Sequence, residues 1–439
     1  MIIEKEQMIC ENLSRNADGV LCLGGVAVDR LAMKYGTPLS LYDEDRIRYR
    51  CRTYKRAMCE CFGDSGQVLY ASKAASFKRL YEIMREEDMG IDVVSMGEIA
   101  TAIRADFPLS RAYFHSNNKT DADIEYAIKN GIGDFVVDNA EELYSIDRIA
   151  GELGTRQKIL LRLTPGIDPH TYEAVATGKV DSKFGSAIET GQAEEITITA
   201  LGLSNIKLVG FHCHIGSQVF DSSVYLAAAE VMISFVAQMY REHGFLASEL
   251  DLGGGWGVRY TKDMPVTDIA AGIGELSELL HSRATELGIP LPKISLEPGR
   301  SIVADAGMTV YTVGTVKRIP GYKTYVSVDG GMTDNPRYAL YGAPYTLLPV
   351  SRPVGDCFEL CSVVGRCCES GDILQENQPM PTDICRGELI ACLTTGAYNY
   401  SMASNYNRIA RPPVVMLSGG EDYLAVRRET LDDLTAYDI

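Results

Sequence analysis

The sequence is short of positive charge. Its 439 residues carry 42 Lys and Arg against 59 Asp and Glu, which gives a formal net charge of −17. Long-range repulsion of this sign opposes binding to nucleic acid, because a polyanion needs a basic surface. We therefore expect no nucleic-acid partner, and a charged small substrate has to be met by local cations.

Long apolar runs are also missing, although 46% of the residues are hydrophobic. A membrane-spanning helix needs about 20 consecutive apolar residues, and no run approaches that length. The first residues, Met1-Ile2-Ile3-Glu4-Lys5-Glu6, are too polar for a signal peptide. These two absences predict a cytoplasmic protein with no membrane partner.

The twelve cysteines lack the CxxC spacing that is typical of zinc and redox sites. Without a secretion signal, reduced thiols are expected rather than a disulfide framework. His212 and His214 lie close together, but no carboxylate or cysteine cluster accompanies them at metal-ligand spacing. No metal site is expected.

Short apolar runs alternate with helix-like segments as far as residue 300. Eight runs are typical of strands, near 68–71, 91–94, 112–114, 134–137, 158–163, 207–213, 249–252 and 293–296. The helix-like segments between them include Phe77–Glu87, Gly97–Arg104, Asp121–Lys129, Ala140–Ala150, Val224–Arg241 and Asp268–Leu287. This alternation predicts βαβ units and a parallel sheet. The fold class is therefore α/β, with a (β/α)8 barrel of the TIM type.

After Arg300 the pattern changes to β-branched and aromatic runs that Gly and Pro interrupt. Such runs are Met308–Val316, Thr324–Val328, Cys357–Val364, Glu388–Leu393 and Pro413–Leu417. They predict a mostly antiparallel β domain, which the strand-like pieces Val20–Leu23 and Leu39–Tyr42 are expected to join. The predicted division is an N-terminal segment at 1–40, the barrel at 41–305 and the C-terminal β domain at 306–439.

Chemically distinctive residues follow four of the eight predicted strands. These residues are Lys73, His214, the run Gly253-Gly254-Gly255, and Glu297. A barrel assembles its active site from the loops at the carboxyl ends of its strands. This placement alone indicates an enzyme.

The glycine run could also indicate an open dinucleotide-binding sheet. That fingerprint needs G-x-G-x-x-G after the first strand, whereas Gly253-Gly254-Gly255 follows the seventh. In barrels, the loops after strands seven and eight commonly bind phosphate through backbone N–H groups. A plain turn remains the alternative for the glycines taken alone.

A phosphate site together with a lysine at the barrel mouth suggests pyridoxal 5′-phosphate, held by Lys73 as a Schiff base. The ring of this cofactor accepts electrons best when its nitrogen stays protonated, and Glu297 could supply the acidic partner. One histidine of His212-Cys213-His214 could stack on the ring, and Ser217 could donate to the phosphate. The other histidine is expected to be a packed core residue.

The ordered motifs along the chain resemble those of one family. They are YASKA at 70, DVVSMGE at 92, a stretch from Thr164 through Asp181 to Gly185, HCHIGSQ at 212, DLGGGWG at 251, EPGRSIVADAG at 297, VDGGMTDNPRYALYGA at 328, CESGD at 368 and GAYNYSMASNYN at 396. Together they resemble the diaminopimelate decarboxylases, which belong to the alanine-racemase-like (fold-type III) class of pyridoxal-phosphate enzymes. Ornithine and arginine decarboxylases belong to the same class.

The resemblance implies a role for each matching residue. Lys73 corresponds to the lysine that carries the cofactor, His214 to the ring-stacking histidine and Glu297 to the partner of the pyridine nitrogen. The other implied cofactor contacts are Ser217, Gly253, Gly254, Gly255, Gly299, Arg300 and Tyr398. The implied substrate contacts are Arg300, Arg337, Tyr341, Glu369 and Tyr398. Cys368 corresponds to the residue that reprotonates the carbanion. The family places the Cys368-Glu369 segment in the neighbouring subunit, which implies a homodimer.

The implied reaction is decarboxylation of meso-2,6-diaminopimelate to L-lysine and CO2, the last step of lysine biosynthesis. The distal end of this substrate carries a carboxylate for Arg300 and Arg337 and an ammonium for Glu369. Tyr338 and Asn399 depart from the family pattern beside these contacts. The alternatives are a related enzyme acting on arginine, ornithine or a conjugated amino acid, and a non-catalytic regulatory homologue.

Overall fold

The computed structural model describes residues 8–168 and 182–439. Met1–Glu6, and the part of the Thr164–Gly185 motif that contains Asp181, lie outside the described residues. The described residues fall into two compact units. One unit spans Met1–Tyr49, Val258–Val266 and Ile302–Ile439, and the other spans Arg50–Gly257 and Thr267–Ser301. The domain boundaries expected from the sequence stay predictions.

The strands are numbered in chain order. They are β1 Leu13–Arg15, β2 Leu21–Leu23, β3 Val26–Ala27, β4 Leu39–Asp43, β5 Gly66–Ala71, β6 Gly90–Val93, β7 Ala112–Phe114, β8 Asp134–Val137, β9 Gln157–Thr164, β10 Ser186–Ala187, β11 Ile206–His212, β12 Glu249–Asp251, β13 Lys293–Leu296, β14 Gly307–Ile319, β15 Lys323–Val328, β16 Leu347–Pro349, β17 Phe358–Val364, β18 Ile373–Pro381, β19 Leu389–Leu393, β20 Val414–Ser418 and β21 Glu421–Val426.

The α-helices are numbered in the same way. They are α1 Val28–Tyr35, α2 Glu44–Phe62, α3 Lys78–Glu86, α4 Met96–Arg104, α5 Asp121–Lys129, α6 Ala140–Glu152, α7 Gln192–Gly202, α8 Ser222–His243, α9 Ile269–Leu287, α10 Arg300–Val303, α11 Arg337–Tyr341 and α12 Leu431–Thr435.

The second unit is a closed parallel barrel. Its strand order is β9-β11-β12-β13-β5-β6-β7-β8, and the pairing of β8 with β9 closes the circle. The interior is filled by apolar side chains from five of these strands, namely Leu69, Tyr113, Val136, Leu160 and Val209. The predicted eight-stranded barrel is confirmed, and in such a barrel the carboxyl ends of all the strands share one rim.

Local sequence signals begin and end the barrel helices. Thr120 caps α5 through a reciprocal pair of hydrogen bonds with Asp123, and Asn139 caps α6. Gly244 and Gly288 end α8 and α9 in the left-handed conformation, which glycine adopts without a steric penalty. These caps place the boundaries of the helices where the sequence predicts them.

One helix in the described part of the chain, α8, is long and apolar enough to cross a membrane by those two criteria alone. Its most apolar window is 56% buried inside the protein. The residues that it buries include Val224, Met232, Ile233 and Val236. Burial of this kind is typical of a helix that packs against a core.

The first unit contains a mostly antiparallel sheet. Its main strand order is β18-β17-β15-β14-β4-β20-β21, and β19 and β16 extend it from β14. β4 comes from the N-terminal segment and pairs with both β14 and β20, which confirms that this segment contributes to the β domain. β1, β2 and β3 form a small separate sheet in the same unit.

Candidate active site

Lys73 lies at the rim of the barrel. It follows β5 on a single 3₁₀ turn, Ser72–Ala74. Its Nζ lies 3.5 Å from Asp92 Oδ2, and the side chains are 41% and 1% exposed. The amine is therefore accessible and lies within ion-pair distance of a buried carboxylate.

Glu297, directly after β13, is buried between two histidines. His115 Nε2 lies 2.6 Å from Glu297 Oε1, and His212 Nε2 lies 3.0 Å from Glu297 Oε2. All three side chains are at most 4% exposed. The two imidazole rings meet edge to face with their centroids 4.8 Å apart. Each carboxylate oxygen of Glu297 thus lies against the Nε2 atom of a different histidine.

The pKa values of His212, Glu297 and Asp251 are strongly perturbed. Burial lowers the pKa of His212 to about 4. Burial by itself would raise the pKa of Glu297, but the two histidines outweigh it and hold that pKa well below its ordinary value. Burial and the neighbouring Glu297 raise the pKa of Asp251 well above its ordinary value. Of the two carboxyl groups, Glu297 and Asp251, Glu297 is therefore the one that stays ionised.

The glycines of the loop after β12 let its backbone touch the backbone of the loops after β11 and β13. A Cβ at Gly254 would lie 2.1 Å from the carbonyl oxygen of Glu297, and a Cβ at Gly255 would lie 2.3 Å from that of Gly216. A Cβ at Gly253 would lie 2.6 Å from the carbonyl oxygen of Cys213. Side chains cannot fit at these positions, so the loop presents backbone to the rim, as a phosphate cradle requires.

Ser217 and Arg300 are joined beside these loops. Arg300 Nε and Nη2 donate to Ser217 Oγ at 3.1 and 3.0 Å, and Arg300 is buried. The hydroxyl of Tyr225 is buried in the same region, and it has no hydrogen-bond partner among the described residues. A buried hydroxyl without a partner costs about 1–3 kcal/mol, which a bound phosphate oxygen would recover. The hydrogen-bond donors of Ser217, Arg300 and Tyr225 are therefore suited to binding an anion.

His214 lies just beyond the end of β11. Its Nδ1 accepts a hydrogen bond from the backbone N–H of Gly254 at 3.3 Å. Burial, followed by the charges of Lys73 and Arg162, lowers the pKa of His214 well below its ordinary value. The ring is therefore neutral at neutral pH.

Asp92 and His115 had no role predicted from the sequence. Asp92 lies in β6 and His115 follows β7, so both lie near the carboxyl ends of their strands, where the other candidates were sought. His212, which was expected to be a packed core histidine, is buried but contacts Glu297. The ligand-like group of His115, His212 and Glu297 comes from three strands, so spacing along the chain could not reveal it.

Three predicted residues of the β unit lie together. Arg337, in α11, is buried, and its guanidinium carbon lies 5.3 Å from the ring centroid of Tyr341 and 5.4 Å from that of Tyr398. Its Nε has no hydrogen-bond partner among the described residues. Arg337 is thus fixed by two aromatic rings and is not an ordinary surface arginine.

Asn399, which departs from the family pattern, has a structural explanation. Its side-chain amide donates to the hydroxyl of Tyr345 at 3.1 Å and to the carbonyl oxygen of Thr395 at 3.2 Å. The residue is only 1% exposed. Asn399 therefore anchors the loop that carries Tyr398.

The Cys368-Glu369 segment follows β17 and is held by side chains of the same unit. The Cys368 N–H donates to Asn407 Oδ1 at 2.8 Å, and the Tyr406 hydroxyl lies 3.4 Å from Glu369 Oε2. Asp372 accepts from the backbone N–H of Cys367 at 2.7 Å. The thiol-bearing residue itself is exposed in the single chain.

Comparisons with known proteins agree with this geometry. Residues 44–304 match the family model of the pyridoxal-dependent decarboxylases, pyridoxal binding domain. Diaminopimelate decarboxylase from Bacillus subtilis is 43% identical over 426 residues, which cover 97% of this chain and 96% of that protein. The corresponding protein from Staphylococcus aureus is 41% identical and covers 96% and 98%.

A solved structure shares the fold over the whole chain. The crystal structure of diaminopimelate decarboxylase from M. jannaschii in complex with L-lysine superposes with a TM-score of 0.89 at 31% identity, covering 99% of each chain. The family predicted from the motifs is confirmed. This chain belongs to the diaminopimelate decarboxylases, within the pyridoxal-dependent decarboxylase family.

Proposed function

We propose that this protein decarboxylates meso-2,6-diaminopimelate to L-lysine and CO2, with pyridoxal 5′-phosphate held by Lys73. The observation that carries the proposal is that Lys73, the ionised Glu297 and the glycine loops share one barrel rim in a chain 43% identical to a diaminopimelate decarboxylase. When bound, pyridoxal phosphate supplies a ring that accepts the electron pair left by the departing CO2.

Different barrel residues are assigned to different parts of this cofactor. Lys73 would bind it covalently, with Asp92 3.5 Å from the lysine Nζ. Glu297 would accept a hydrogen bond from the pyridine nitrogen, and His214 would stack on the ring. Ser217, oriented by Arg300, and the backbone of Gly253, Gly254, Gly255 and Gly299 would bind the phosphate. These roles rest on donor and acceptor chemistry and on the family resemblance.

The distal end of the substrate needs one cation and one anion. Arg337, held between Tyr341 and Tyr398 with its Nε unpartnered among the described residues, is suited to a carboxylate. Glu369 is suited to the ammonium. We assign the two groups to those residues, with Arg300 as a further substrate contact. Tyr398 is in addition assigned to the phosphate.

Cys368 is proposed as the acid that returns a proton to the substrate carbon after CO2 leaves. The thiol must carry its proton at that moment and regain it afterwards from solvent. In the proposed homodimer this cysteine comes from the partner subunit, together with Glu369.

The first experiment measures lysine and CO2 from purified protein with pyridoxal phosphate and meso-diaminopimelate, with ornithine and arginine as competing substrates. Lysine is expected from diaminopimelate, whereas activity on ornithine alone would indicate a related decarboxylase. A wild-type protein with neither the yellow absorbance of bound cofactor nor any product would indicate the non-catalytic homologue.

Lys73→Ala is expected to lose that absorbance and to reduce turnover by roughly 10³-fold or more, because the covalent attachment is lost. Lys78→Ala is the matched control. Lys78 lies in α3, pairs on the surface with Glu82 at 3.3 Å and is 60% exposed, so this variant should behave as wild type. Retained cofactor absorbance in Lys73→Ala would falsify the lysine assignment.

A further inference from the structure

Glu297 has a polar environment that its neighbours along the chain do not provide. The two histidines that contact it come from the ends of β7 and β11, 182 and 85 residues away in sequence. They approach different carboxylate oxygens, at 2.6 Å for His115 and 3.0 Å for His212. A carboxylate offers about four lone-pair positions, so a further donor still has an acceptor site on Glu297.

The hydrogen-bond partners of His212 determine which of its two ring nitrogens carries the proton. Nδ1 of His212 is buried and has no hydrogen-bond partner among the described residues. A proton on Nδ1 would be a buried donor without an acceptor, which costs more than a lone pair in the same position. The proton therefore lies on Nε2, where it is donated to Glu297.

A metal ion does not account for the same three side chains. Two ligands on one tetrahedral zinc ion, each about 2.05 Å from the metal, lie about 3.3 Å apart. The separations of 2.6 and 3.0 Å in this cluster are shorter than that. The contact of His212 is a hydrogen bond, and that of His115 is a close ion-pair contact. The cluster is a carboxylate with one imidazole nitrogen against each oxygen.

Other charged groups surround this cluster at the rim. Asp92 Oδ1 lies 3.9 Å from His115 Nε2, and Asp92 in turn contacts Lys73. Arg162 and Asp251 act on Glu297 electrostatically, with opposite signs. His115 thus lies within 4 Å of both Glu297 and Asp92, the carboxylate beside Lys73.

We propose that His115 and His212 are positioning residues that hold the Glu297 carboxylate, one imidazole on each oxygen, so that it accepts a hydrogen bond from a pyridine nitrogen that keeps its proton. The inference rests on the proposed function, because it assigns the machinery behind the proposed partner of the cofactor ring. Neither histidine touches the cofactor in this scheme, and both act through Glu297.

The test loads the protein with ¹⁵N-labelled pyridoxal phosphate and measures the chemical shift of the ring nitrogen by NMR. Wild type is expected to show a protonated nitrogen, and Glu297→Gln sets the reference for its loss. His115→Phe and His212→Phe are expected to move the signal toward that reference and to lower kcat by about 10- to 100-fold, the loss of one hydrogen bond to a charged group. His243→Phe is the control, since His243 meets Glu194 at 2.7 Å on the surface.

A wild-type ring-nitrogen signal in both Phe variants would overturn the inference while leaving the proposed function standing. If a Phe variant does not fold, the Gln variants decide, because glutamine keeps an N–H donor without the ring. His115→Gln and His212→Gln should retain the wild-type signal, and a signal like that of Glu297→Gln would contradict the proposed donor role. Failure of wild type to bind the cofactor at all would instead reject the proposed function.

Discussion

At the scale of single residues, the glycines of the rim have the least freedom to change. A Cβ at Gly254 would lie 2.1 Å from the carbonyl oxygen of Glu297, and neither backbone can move without displacing the other. Gly254→Ala is expected to lower the affinity for pyridoxal phosphate at least tenfold and the free energy of unfolding by about 1–3 kcal/mol. Cofactor titration and thermal unfolding measure the two effects.

Gly274→Ala is the matched control for that variant. Gly274 lies inside α9, and nothing lies within 4 Å of the position of its Cβ. Alanine in a helix interior is more favourable than glycine by roughly 0.5–1 kcal/mol, so this variant should be slightly more stable. The steric argument fails if Gly254→Ala binds the cofactor as tightly as Gly274→Ala does.

Part of the candidate site could be predicted residue by residue. Lys73, His214, the glycine loop and Glu297 follow strands that the sequence itself predicts, so the barrel rule groups them. His115 and Asp92 also lie near strand ends, and Asp92 begins the DVVSMGE motif, but neither residue type is distinctive by itself at such a position. Their roles depend on distances between strands, which no spacing along the chain encodes.

At the scale of elements, a buried ion pair ties the loop after β7 to α6. Lys119 Nζ donates to Glu142 Oε1 at 2.6 Å and to the carbonyl oxygen of Val136 at 2.8 Å. The two side chains are 0% and 3% exposed. Removing one partner leaves an uncompensated charge in a medium of low dielectric constant, which costs more than the pair itself contributes.

Lys119→Met is therefore expected to lower the free energy of unfolding by about 3–5 kcal/mol, measured by denaturant or thermal unfolding. The double variant Lys119→Met with Glu142→Leu should be less destabilised than the single one. Lys129→Met is the control, because Lys129 pairs with Glu125 on the surface of α5 and should change stability by at most about 1 kcal/mol. Equal losses in the single and double variants would contradict this account.

Most elements could be predicted from the periodicity of apolar residues. The eight predicted barrel strands lie within two residues of β5 to β9 and β11 to β13 at each end. The strands β1, β3, β10, β16, β18 and β21 were not predicted. β18, with the sequence ILQENQPMP, combines two prolines with four polar residues in a row, which local propensity assigns to a loop. Pairing with β17 overrides that propensity.

At the scale of the whole molecule, the predicted combination of an α/β barrel and a mostly antiparallel β domain is confirmed, whereas the domain boundaries stay predictions. The assembly of subunits is not visible in one chain. The exposed position of Cys368 is consistent with a role outside its own chain, and the proposed homodimer gives it one.

Mixing two inactive variants tests this assembly. In a dimer made only of Lys73→Ala subunits, or only of Cys368→Ala subunits, both active sites are damaged. In a mixed dimer, one of the two sites combines an intact Lys73 with an intact Cys368 of the partner subunit. Unfolding and refolding the two together is expected to restore about a quarter of the wild-type activity, by random pairing. No recovery, with mixed dimers present, would place both residues in the same subunit.

The edge strand β18 of the main β sheet bears on how the protein resists aggregation. The barrel is closed, whereas the main sheet of the other unit begins at β18, whose outer side could template a foreign strand. Pro379 and Pro381 interrupt the ladder of N–H groups along this strand, and Glu376 adds charge beside them. Because the backbone N–H donors along β18 are interrupted, this edge strand is poorly suited to nucleate fibrils. A concentrated preparation should therefore resist fibril growth from β18.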